Sequence, residues 1–165
     1  MDLENRIQAL EDDRAVRDLK ARYLRAADGK DIETMRGCFT EQALIEFDGF
    51  PRFESREPFI EIYQQIACVP GIFDIHHGAN GVVCFENENR ATGQWSLLFH
   101  NINLQARTLT QMGVEYDYVF HKDGAGKWWI SETRSRRTSA LVHRVDDSGK
   151  PLVTVMGEMR GAFGA

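Results

Sequence analysis

The sequence predicts an α+β fold. Three observations lead there: helical periodicity fills the opening of the chain, strand-like stretches fill most of the rest, and the later strands follow one another across short turns with no helix between them. Helices first and an antiparallel meander afterwards exclude a parallel α/β arrangement. The 165 residues suit one domain, 1–165, with a core of about 5–142 and a tail of 143–165.

The first helix is read from Leu3 to Ala27. Ile7, Leu10, Val16, Leu19, Tyr23 and Ala27 recur at mostly three- and four-residue spacing, with charged residues between them. Gly29 follows as its expected C-cap. Asp31 is placed to cap a second, short helix running to Cys38. Ala43 to Asp48 reads as a strand. Ser55 starts a third helix with Glu57 and Pro58 in its first turn and Phe59, Ile60, Tyr63 and Ile66 on its apolar face; Pro70–Gly71 closes it. Four long strands follow: Phe73–Phe85, Ala91–Leu104, Leu109–His121 and Lys127–Val142. The polar ENENR stretch joins the first two, and the tight turn KDGAG joins the last two. Leu152 to Met156 reads as a short strand in the tail, and the glycine-rich end is expected to be loose.

Composition narrows the function. A net charge of −5 and scattered basic residues give no nucleic-acid footprint. No apolar run is long enough to span a membrane, and the acidic, polar start lacks the form of a signal peptide, so a cytoplasmic protein is expected. The three cysteines, Cys38, Cys68 and Cys84, fit neither a disulfide framework nor a zinc knuckle and are expected to be buried free thiols. No G-x-G-x-x-G, P-loop or H-E-x-x-H motif is present, and no cofactor is expected.

Four segments carry a resemblance. They are RYLRAADGKDIETMRGCFTEQALIEF at the end of the opening helix, IHHGAN, GQWSLLFHNIN, and DGAGKWWISE. In this order and spacing, from about Leu10 to Arg137, the chain resembles the SnoaL-like branch of the nuclear transport factor 2-like superfamily. The resemblance implies a cone-shaped α+β barrel, in which a curved antiparallel sheet is wrapped by N-terminal helices around an apolar cavity. Its eliminating members, such as scytalone dehydratase, bile-acid 7α-dehydratase and hexachlorocyclohexane dehydrochlorinase, place an Asp and a His in that cavity. Motif by motif, these positions match Asp28 and His76. A Tyr five residues before the Asp matches Tyr23, a second His on the next strand matches His100, and an Arg on the last strand lies near Arg134. The dehydrochlorinase has Lys where this chain has Tyr23.

Elimination beside an activated carbon needs a base for the proton and a donor for the leaving group. Imidazole suits the first role because its unperturbed pKa is about 6.5. A carboxylate on the other ring nitrogen holds the tautomer and stabilises the imidazolium. The resemblance therefore implies that Asp28 orients His76, His76 takes the proton, and Tyr23 and His100 donate hydrogen bonds. Each residue also has a plainer reading. Asp28 suits a solvated helix end, Tyr23 suits core packing, and His76 and His100 suit hydrogen-bonded strand positions. A regular strand sends His76 and His77 to opposite faces. Asn80, four residues on, selects His76, a choice that a bulge is able to change. Trp95, Trp128 and Trp129 are read as core or interface, His121 and His143 as surface. The run Arg134, Arg136, Arg137 is read as a solvated strand end, with one Arg able to bind a carboxylate or phenolate.

The expected activity is a cofactor-independent lyase acting on a small apolar, cyclic or aromatic compound. A proton-shifting isomerase or cyclase uses the same pair, and a non-catalytic subunit of a ring-hydroxylating dioxygenase shares the fold. Asp28, His76 and His100 have ligand types that suit a metal, but relatives with this pattern use none. By resemblance the expected assembly is a homotrimer or a dimer.

Overall fold

The computed structural model describes residues 2–157, and the glycine-rich end expected to be loose lies outside them. Three helices, α1 (Leu3–Gly29), α2 (Ile32–Arg36) and α3 (Arg56–Ala67), pack with six strands. These are β1 (Phe39–Phe47), β2 (Ile72–Asn87), β3 (Arg90–Asn103), β4 (Thr108–Lys122), β5 (Trp128–Val145) and β6 (Pro151–Gly157). The α+β class stands. The sheet runs β1-β5-β4-β3-β2, with β6 added beside β5 at the end of that strand. Every pairing is antiparallel except β1 with β5, which is parallel. Register shifts leave an extra residue in β2, β5 and β6, which bends the strand and tightens its twist. The sheet curves without closing.

Several boundaries move from their expected places. The first helix continues to Gly29, and Lys30 rather than Gly29 caps it, with φ 57° and its backbone N–H on the carbonyls of Ala26 and Ala27. The second helix stops at Arg36, and Phe39 already belongs to β1. Asp31 does cap it, accepting from the Thr34 N–H at 3.0 Å. Ser55 takes the N-cap position of α3 without a side-chain capping bond. The apolar stripe of α1 is buried only from Val16 onward, while Ile7 and Leu10 are exposed. Cys38 is the one buried thiol of the three; Cys68 is half-buried and Cys84 exposed. His143, read as a surface residue, is half-buried.

The core lies between α1, α3 and the concave face of the sheet. Tyr23, Phe39 and Phe59 meet edge to face, with ring centroids 5.0 and 5.8 Å apart. Trp95 and Trp128 are buried as expected. The near end of the helix is tied down by Asp12, whose carboxylate accepts from Lys122 Nζ at 2.9 Å and from Trp128 Nε1 at 2.8 Å. Burial opposes the charge on Asp12, yet these hydrogen bonds outweigh it and lower its pKa below the ordinary 3.8. A depressed carboxylate contributes stability above its unfolded pKa and loses it as the pH falls through its folded pKa. Asp12→Asn is thus expected to cost about 1–3 kcal/mol at pH 7. It should also flatten the acid side of the stability curve below the unfolded value, as denaturant titrations at pH 7 and pH 3 would show.

Candidate active site

The space between α1, α3 and the concave sheet is a cavity of about 510 Å³, a volume typical of small-molecule sites. Its walls are mainly apolar, with Phe47, Phe59, Ile62, Leu97, Phe99 and Met112 prominent. Its polar groups include Tyr23, Asp74, His76, Asn101, Ser135 and Arg137.

Strand parity and one helix end bring Asp28 and His76 together. Asp28 sits in the last turn of α1, which packs along β2. Its Oδ1 lies 2.6 Å from His76 Nδ1, and the His76 backbone N–H donates to the same carboxylate at 3.0 Å to Oδ1 and 3.2 Å to Oδ2. One carboxylate thus fixes both the strand and the ring. Asp28 stands behind the imidazole and is not itself part of the cavity wall. His76 is on the wall, with its ring 4.8 Å from that of Phe99, its cross-strand neighbour. With Nδ1–H donating to the carboxylate, Nε2 of the neutral ring is an acceptor. Among the described residues no group bonds to it.

His77 is exposed on the other face. The reason for choosing between the two histidines does not hold, however. Asn80 has φ 54° and lies inside a bulge between Ala79 and Val82, so it carries no parity information about His76. Gly81 in that bulge lies so close to the Trp95 indole that an added methyl would stand 2.3 Å from Nε1.

Tyr23 is on the cavity wall and buried. Burial, helped by the neighbouring Tyr116 and Tyr63, pushes its pKa well above 10, so it keeps its proton. It is a standing hydrogen-bond donor. Tyr116 beside it is pushed up to about 12 by burial.

The structure does not bring His100 or Arg134 to this cavity. His100 pairs across from Ile75, on the opposite face from the inward pairs His76–Phe99 and Asp74–Asn101. The step is one residue: Phe99 and Asn101 face in, and His100 faces out. Arg134 pairs across from Asp117, is 58% exposed, and is held at 2.6 Å by Glu46. The neighbours Ser135 and Arg137, opposite Tyr116 and Val114, face inward instead. Arg137 is 9% exposed, and its Nε donates to the Asp48 carbonyl at 3.1 Å. Gly49 makes this possible, since a methyl there would stand 1.6 Å from Nη2. Of the basic run, then, Arg137 is the member at the cavity.

Sequence reasoning missed Asp74, Asn101, Lys30 and Tyr63 as site residues, and it named Arg137 only within the basic run. Period two from His76 would have found Asp74. Asn101 needed the cross-strand register, and Lys30 needed its unusual backbone.

A curved mostly antiparallel sheet wrapped by leading helices, with a polar set inside an apolar cavity, defines a pocket protein of the nuclear transport factor 2-like type. A family model described as a SnoaL-like domain matches residues 8–134, and the chain belongs to that family. Among solved structures it is similar to hexachlorocyclohexane dehydrochlorinase type 3 from Novosphingobium barchaimii, at 16% identity and TM-score 0.72, covering 92% of this chain and 97% of that one. It is also similar to a protein proposed to be a scytalone dehydratase from Novosphingobium aromaticivorans, at 16% identity and TM-score 0.74, covering 93% and 96%. An NTF2-like protein with a cystatin-like fold from the same species gives 21% identity and TM-score 0.67, covering 81% and 88%. At these identities the likeness is one of fold. A search of curated protein sequences finds no match.

Proposed function

We propose that this protein is a cofactor-independent lyase that eliminates water or a related leaving group from a small apolar, cyclic or aromatic compound. The observation that carries the reading is the 2.6 Å contact between Asp28 Oδ1 and His76 Nδ1 at the wall of an apolar cavity. The dehydratase and dehydrochlorinase among its structural neighbours support it.

His76 accepts a proton from the substrate carbon at Nε2. The electron pair of the broken C–H bond forms the double bond, and the C–O bond breaks. The imidazolium returns its proton to the departing oxygen, which leaves as water. Asp28 orients the ring and stabilises the imidazolium, and Tyr23 hydrogen-bonds the leaving oxygen. His100 and Arg134, facing away, take no part. Among the described residues no helix is long and apolar enough to cross a membrane. The reading includes a single domain over 1–165, a cytoplasmic location and a homo-oligomer, trimer or dimer. The assembly is supported by Phe73, Ile75 and Leu98, which leave the outer face of β2 and β3 apolar and exposed.

The test is a panel of cyclic secondary alcohols and halides bearing an activated C–H, followed in D₂O by product formation and by deuterium exchange. His76→Ala is expected to lower turnover by at least about 10²-fold. Full activity in that variant sinks the assignment of the base. Exchange without loss of a leaving group would redefine the reaction as an isomerisation.

A further inference from the structure

Two residues along β2 from His76, a second polar cluster faces the same cavity. Asp74 is 6% exposed and forms an ion pair with Lys30, while its other oxygen accepts from Asn101 Nδ2 at 2.7 Å. Tyr63 stands beside them, with its hydroxyl 3.5 Å from Lys30 Nζ and donating to the Ala27 carbonyl at 2.6 Å. Asp74, Asn101 and Tyr63 all line the cavity. Asp28 and Lys30, at the end of α1, thus grip His76 and Asp74 on β2 in two successive inward steps.

We propose that this cluster is a subsite for a second hydroxyl group of the substrate, one retained while chemistry proceeds at His76. The inference rests on His76 as the reacting end. Two features point to a ligand. First, an ion pair whose carboxylate is 6% exposed beside an apolar cavity is a poor source of stability, so its position needs another reason. Second, Asn101 commits one side-chain N–H to Asp74, and its other amide N–H and its side-chain carbonyl have no partner among the described residues.

The chemistry selects the ligand. Asp74 repels an anion, and Lys30 repels a cation. A neutral hydroxyl fits both, donating to the Asn101 or Asp74 oxygen and accepting from the Asn101 amide. Successive inward residues on a strand stand about 7 Å apart. Phe99 lies across from His76 and Asn101 across from Asp74, so a flat ring over Phe99 would span the two stations. The substrate class is therefore a cyclic compound with oxygen functions at opposite ends of the ring system.

The experiment is calorimetric titration with 2-naphthol and naphthalene-2,6-diol. The parent protein is expected to bind the diol about tenfold tighter, the effect of one added hydrogen bond in a buried polar site. Asn101→Leu removes no charge and leaves the Lys30–Asp74 pair in place. In it the two affinities should agree within about twofold, through loss of diol binding alone. Asp74→Asn should narrow the ratio as well. His76→Ala should leave the ratio unchanged, which separates this subsite from the acid–base reading. A ratio near one in the parent overturns the proposal. So does a ratio that survives Asn101→Leu, or failure of the diol to bind at millimolar concentration. A preserved subsite ratio in a protein that eliminates nothing would overturn the lyase reading and keep the subsite.

Discussion

Asp28→Asn is expected to lower turnover by about 10²–10⁴-fold while leaving the fold intact. Asparagine is nearly isosteric and keeps one oxygen. With the amide nitrogen in the place of Oδ1, that oxygen stands where Oδ2 was and accepts from the His76 backbone N–H, so the helix end stays on β2. The amide nitrogen then faces Nδ1 and donates to it. Nδ1 becomes the acceptor, the ring proton moves to Nε2, and Nε2 can no longer take a proton from the substrate. Geometry survives and the tautomer is wrong. Asp28→Ala should behave differently. It removes the backbone anchor as well as the ring contact, and the lost charge-assisted bonds are expected to cost about 1.5–3 kcal/mol of stability. His76→Gln, by contrast, should lose activity with a smaller stability change, since its backbone N–H still reaches Asp28. Kinetics on whichever panel compound turns over, thermal unfolding, and nitrogen NMR of the imidazole separate the three. An asparagine variant within a few-fold of the parent would remove Asp28 from the mechanism.

Asp28 and His76 were legible only through the resemblance: helical periodicity places Asp28 at a helix end and alternation places His76 on a strand, but neither pattern marks them as a pair. The α+β class followed from the order of helix-like and strand-like stretches. What could not be read was parity after an irregularity. Asn80 looked like a same-face companion of His76, but a left-handed residue in a bulge resets the alternation. The same limit misplaced His100 and Arg134 by one and three positions from the inward residues Asn101 and Arg137. A shift of one residue sends a side chain through the sheet, and motif matching at that resolution cannot see it. The parallel pairing of β1 with β5 was invisible for another reason: it joins segments far apart in sequence, and only the folded chain sets that register.

The largest stability effect should come from a residue the chemistry does not use. Lys20 is 2% exposed, and among the described residues no carboxylate lies within ion-pairing distance. Its Nζ donates to the Tyr118 hydroxyl and lies 4.6, 4.3 and 5.2 Å from the ring centres of Tyr116, Tyr118 and Tyr23. The aromatic faces offset part of the missing hydration. Burial still drives the pKa of this amine well below 10.5. The unfolded chain therefore holds a proton that the folded chain has released, over the range between the folded pKa and 10.5. Stability rises with pH across that window. Above about 10 the tyrosines act in the opposite sense, because burial holds Tyr118 and Tyr23 protonated only in the folded chain. Tyr118→Phe removes the one hydrogen bond to the buried amine among the described residues and is expected to cost about 3 kcal/mol at pH 7. Lys20→Met alone trades a costly buried amine for a hydrophobe but orphans the hydroxyl. The pair of changes together removes both polar groups, and the double variant should be at least as stable as the parent and nearly free of the alkaline rise. Urea titrations of the four proteins at pH 7 and pH 9 form the cycle, with a coupling energy of about 1–3 kcal/mol expected. If the change in the double variant equals the sum of the two single changes, the amine and the hydroxyl are not coupled, and the cage of tyrosines alone holds Lys20 in place.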